Sequence, residues 1–95
     1  MMSNSKQKVN EGLPGGWSKY GPLSKEDKQI FDEAVHVSPI VLYTPEAVSR
    51  QLVAGMNYRY KCTANYAEWI LTEEVIVHIF KPLVGKPFVT AITRM

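Results

Sequence analysis

The sequence predicts an α+β domain, with one α-helix packed on a four- to five-stranded antiparallel sheet. Three observations predict it. Only one stretch, Ser24 to Val37, carries apolar residues at helical spacing. Beyond Pro39 the pattern changes to short runs of alternating or β-branched apolar residues. Two apolar tips that contain glycine, Gln51 to Gly55 and Leu83 to Pro87, separate those runs as hairpin turns would.

Size and charge set the frame. The 95 residues are 45% apolar, enough for one small domain with a single core. The net charge is +2 and the lysines and arginines are scattered, which gives no support for a nucleic-acid partner. No stretch approaches the length of a membrane span, and Met1 to Asn10 is polar, without the apolar run of a secretory signal. Cys62 is the single cysteine, so the core has to hold without an internal disulfide. A cytosolic protein with no membrane partner is the expectation.

Residues 1–12 are polar and lack periodicity, which predicts a disordered tail ahead of a single domain spanning 13–95. In Leu13-Pro14-Gly15-Gly16, the proline fixes its own φ and favours an extended Leu13. The two glycines then let the chain turn sharply. Trp17 is expected to lie on the domain surface and fix where this arm leaves it. In the helix, Ser24 with Asp27 resembles a capping box, and acids fall in the first turn. Ile30, Ala34 and Val37 share one face, widened by Phe31 and Val35. Glu26, Lys28, Asp32 and Glu33 lie opposite, toward solvent. His36 falls in the last turn, and Pro39 ends the helix.

Ile40 to Tyr43 is a short strand-like run, and Pro45 belongs at a strand start or a sheet edge because it cannot donate a ladder hydrogen bond. Glu46 to Arg50 leads into the first tip. Met56 to Thr63 follows it, with Tyr58, Tyr60 and Cys62 on one face and Asn57, Arg59 and Lys61 on the other. Asn65 to Glu73 is ambiguous: Trp69-Ile70-Leu71 either starts the next strand early, with a bulge, or forms a turn of helix. In Glu74 to Lys81, Val75, Val77 and Ile79 alternate with Ile76, His78 and Phe80. Phe88 to Thr93 is the last strand. If the strands run up and down, both glycine tips sit at one end of the sheet, within reach of the N-terminal arm. Leu52, Val53 and Ala54 are apolar where a solvated hairpin carries polar residues, so the tip points to a partner.

Little suggests catalysis. Cys62 with His36 or His78 is the only nucleophile–base combination, and Cys62 shares its face with two tyrosines, as a buried, inert thiol would. Two histidines and one cysteine at wide spacing make a poor zinc site. No phosphate-binding loop is present. The expectation is no catalytic residue, no metal and no cofactor.

The order of these features resembles the cystatin superfamily of cysteine-protease inhibitors. Gln51-Leu52-Val53-Ala54-Gly55 is similar to its Gln-x-Val-x-Gly signature. Val53-Ala54-Gly55-Met56-Asn57-Tyr58 is similar to the Val-Ala-Gly-x-Asn-Tyr of the stefin type, which is small, cytosolic and free of disulfides. Ile79-Phe80-Lys81 with Leu83 and Gly85 resembles the stefin Val-Phe-Lys-x-Leu-Pro-Gly, with Val84 where stefins carry proline. The resemblance spans roughly Leu13 to the C-terminus. It departs from the pattern in a short Gly16-to-Gln51 segment and an inserted Tyr66-to-Glu73 stretch. It implies a cystatin-like fold and reversible, competitive inhibition of papain-like cysteine proteases. Leu13 and Pro14 would occupy the non-primed subsites, and at Gly15-Gly16 the chain would turn away from the catalytic cysteine. Gln51, Leu52, Val53, Ala54 and Gly55 would block the nucleophile and the primed side. Leu83, Val84 and Gly85 would supply a third contact. The same resemblance leaves an alternative, a cystatin-fold binding or self-associating module without inhibition. A monomer is expected, with a domain-swapped dimer as the other possibility.

Overall fold

The computed structural model describes residues 16–95. Its helix, α1 (Lys25–Ala34), opens on a reciprocal cap: the Asp27 amide donates to Ser24 Oγ at 3.1 Å, and the Ser24 amide donates to Asp27 Oδ2 at 2.9 Å. Two of the amide donors that every helix start leaves over are thereby satisfied. Ile30, Phe31 and Ala34 form the buried stripe. The helix stops three residues short of the expected Val37. Val35 is already extended at the C-cap, and Val37 is fully exposed. Two β-branched valines disfavour helix here, and Pro39 bars Ser38 from helical geometry, so the last turn does not form. His36 consequently lies beyond the helix and not within its last turn.

Four strands follow in chain order, each antiparallel to the next: β1 (Val41–Val53), β2 (Gly55–Tyr66), β3 (Leu71–Lys81) and β4 (Phe88–Arg94). β1 is one long strand where the sequence suggests two pieces. Pro45 is carried inside it because β1 is the outermost named strand and its register slips between Pro45 and Ala47. Residues 17–21 run along the outer edge of β1 through isolated bridges, Trp17 to Gln51 and Gly21 to Val48. Between β2 and β3 the ambiguous stretch resolves as a turn over residues 67–70. Ile70 takes a left-handed φ of 49°, so β3 begins at Leu71, and neither a strand start at Trp69 nor a helical turn forms.

The alternation read from the sequence sorts the sheet into two faces. Val48, Tyr58, Tyr60, Cys62, Ala64, Val75, Val77 and Ile79 are buried against Ile30, Phe31 and Ala34. Tyr60 is the centre of this core. Its ring meets Phe31 edge-on at 5.0 Å, and its hydroxyl donates to the Asp27 carbonyl at 2.8 Å. A second tie joins helix to sheet: Arg50 on β1 donates from Nε to Asp27 Oδ1 at 3.0 Å and from Nη2 to Oδ2. Burial by itself would raise the Asp27 pKa. The hydrogen bonds from Arg50 and Ser24, with the Arg50 charge, outweigh it and hold the carboxyl below its usual range.

Ten helical residues span about 15 Å, whereas the twelve residues of β2 span about 40 Å. α1 therefore covers less than half of the strand length. Past Ala64 the inner face is only partly covered: Val41, Tyr43 and Tyr66 are half-buried, and Trp69, Ile70 and Leu71 are 69%, 94% and 51% exposed.

A candidate protein-binding end

The β1–β2 turn is as tight as its register allows. Val53 pairs with Gly55, leaving Ala54 alone at the tip. Gly55 has a φ of 116°, and a Cβ there would lie 2.5 Å from the Lys81 carbonyl oxygen and 3.1 Å from the Phe80 ring. Only glycine lets the hairpin close this near to the end of β3. Ala54 is exposed, and Leu52 and Val53 are half-buried. Gln51 is held in place by Asn57, whose Nδ2 donates to Gln51 Oε1 at 2.8 Å.

The β3–β4 turn stands beside it. Met56 pairs with Lys81, which places the end of β3, and the turn after it, at the β1–β2 tip. Gly85 has a φ of 120°, and Leu83 and Val84 are 77% and 91% exposed. Pro87, just before β4, is buried and anchors the return. The chain reaches this end again at Gly16, one residue before Trp17 bridges Gln51. The structure thus brings together Gly16, Gln51 to Gly55, and Leu83 to Gly85, as the up-and-down strand order requires. Leu13, Pro14 and Gly15 of the arm lie outside the described residues.

One part of this end was missed by the sequence reading. Residues 17–20 are fastened to the free edge of β1, with the Trp17 and Tyr20 rings against cations of the outer face, the face without the helix. The Ser18 amide donates to the Arg50 carbonyl at 2.8 Å, and the Arg50 amide donates to Ser18 Oγ at 2.9 Å. Ser49, fully buried, donates from Oγ to the Ser18 carbonyl at 2.6 Å. The Arg59 guanidinium lies 3.8 Å over the Trp17 ring, and Lys61 Nζ lies 4.2 Å over Tyr20. The available signal was two aromatics, Trp17 and Tyr20, and two cations, Arg59 and Lys61, but nothing local pairs stretches so far apart.

The groups considered for catalysis are not assembled. Cys62 is buried on the inner face, and burial, helped by the Glu46 carboxylate, pushes its thiol up to about 12. His78 lies on the opposite face, with Nε2 3.1 Å from Thr93 Oγ1. His36 is exposed beyond α1. Among the described residues no group of three His, Cys, Asp or Glu side chains could hold a metal ion. No helix among them is long and apolar enough to cross a membrane.

Compared with known proteins, the chain matches no family profile, no curated protein and no solved structure.

Proposed function

We propose that the chain is a reversible, tight-binding inhibitor of papain-like cysteine proteases, with a cystatin-like, stefin-type fold and no catalytic activity of its own. One observation carries the reading: two apolar turns, each with a positive-φ glycine, share one end of the sheet with the exit of the N-terminal arm. A protease cleft is a groove, and a wedge already rigid before binding fills it at a lower ordering cost than a flexible peptide. Leu13 and Pro14 enter the non-primed side, and Gly15 with Gly16 turns the chain off before a scissile bond is presented. Gln51, Leu52, Val53, Ala54 and Gly55 cover the nucleophile, and Leu83, Val84 and Gly85 meet the primed wall. Such interfaces bury about 1,600 Å² in total. A cytosolic setting and a monomeric inhibitor go with this reading.

Titration of active-site-calibrated papain tests it. Stoichiometric loss of activity, reversed by competing substrate, is expected, and full activity at micromolar inhibitor overturns it. A second reading, a binding module without inhibition, is favoured by the apolar residues at the other end of the sheet. There Tyr66, Trp69 and Leu71 line a hollow of about 500 Å³ beside the Glu73–Arg94 ion pair. An inert titration with a folded protein is the outcome that reading requires.

A further inference from the structure

We infer that Arg59 and Trp17 are positioning residues for the inhibitory arm, a clasp that sets where the chain leaves the sheet at Gly16. The inference rests on the inhibitor reading above. Trp17 sits directly after Gly16 and opposite Gln51, so its placement sets where the arm departs relative to the first residue of the hairpin motif. Backbone hydrogen bonding from Ser18 to Arg50 fixes the strand position one residue further on. The Trp17 ring, 3.8 Å beneath the Arg59 guanidinium, adds a side-chain hold directly after Gly16. Tyr20 adds a second ring 5.6 Å from the same guanidinium, and Lys61 lies over it in turn.

Arg59 is a costly choice if its only task were to complete the sheet. Among the described residues its buried Nε has no hydrogen-bond partner, and its side-chain hydrogen bond from Nη2 to Ser49 Oγ is long at 3.4 Å. An unsatisfied buried donor detracts from stability, and an apolar side chain of similar length would avoid it. A planar cation stacked on an indole is what the apolar replacement would lose. The balance therefore differs between fold and function: the fold gains little from the guanidinium, whereas the arm gains its direction. An arm with a fixed exit enters the cleft at high effective concentration, and one on a loose pivot does not.

A double-substitution cycle on the full chain tests this, using Arg59→Met and Gly15→Arg with papain inhibition constants and thermal melting as readouts. In the native background, Arg59→Met should weaken inhibition about tenfold with no loss of melting temperature. With Gly15→Arg, whose bulk keeps the arm out of the cleft, the same change should have less than about a twofold effect. Trp17→Ala removes the other half of the stack and should show the same dependence on Gly15, while Arg59→Lys should restore part of the inhibition. Equal losses in both backgrounds, or no loss in either, overturn the clasp and leave the inhibitor reading standing. Failure of the unsubstituted protein to inhibit papain removes the inhibitor reading, and the clasp with it.

Discussion

Gly55 settles at one position how close two hairpins can stand. A methyl group there would press on the Lys81 carbonyl, which is backbone and cannot swing aside, and a φ of 116° is strained for any side chain. Gly55→Ala should cost about 3 kcal/mol and lower the melting temperature by about 15 °C, read by circular dichroism. Gly21 is the control. A Cβ at Gly21 would meet nothing within 4 Å and its φ is not positive, so Gly21→Ala should stay within about 0.5 kcal/mol. If both glycines respond alike, conformational freedom and not the close approach is what Gly55 contributes.

The helix is bound to the sheet at its first turn more firmly than at its last. The Asp27 side chain, only 3% exposed, caps α1 and accepts two hydrogen bonds from Arg50, while the Asp27 backbone carbonyl accepts one from Tyr60. Asp27→Asn keeps the shape but removes the charge, and should cost about 2 kcal/mol, less than a fully buried pair because Arg50 retains access to water. In a cycle with Arg50→Ala, the two losses should fall short of additivity, measured by urea denaturation. Strict additivity would mean that the pair is not coupled. At this scale much was legible from the residues. Ser24 and Asp27 announced the cap, and the alternation through Tyr58, Tyr60 and Cys62 announced the inner face. What the residues hid has physical causes. Pro45 reads as a break, yet an edge strand with a slipped register absorbs it. Val35 to Val37 extend the apolar pattern of a helix that local backbone preference then ends. Ile70 takes a left-handed turn that no β-branched residue advertises. The proposed binding end was legible in its glycine turns, which are local, and not in the Trp17–Arg59 contact, which is made only when the chain folds back on itself.

Acid should weaken the fold in two steps, and the sign of each follows from its group. Burial, and then the Arg59 charge, lowers the His78 pKa from its ordinary 6.5, so the unfolded chain takes up that proton more readily. Stability should begin to fall as pH drops below about 6.5. Asp27 contributes stability above its ordinary value of 3.8, and that contribution should disappear as pH falls through the lower folded value. Urea midpoints across pH 7 to 3 should show both declines. His78→Gln should abolish the first and spare the second, and a flat profile down to pH 4 would rule out the histidine's part.

A helix shorter than the strands beneath it also divides the molecule by stiffness. Amides at residues 58–64 and 75–79 lie under α1 and should exchange with deuterium only when everything unfolds. Those at residues 41–44 and 71–74, where no side chain is fully buried, should exchange through partial opening, orders of magnitude sooner. The proposed inhibitory turns would then rise from the stiffer half of the sheet, and the breathing would be confined to the other half.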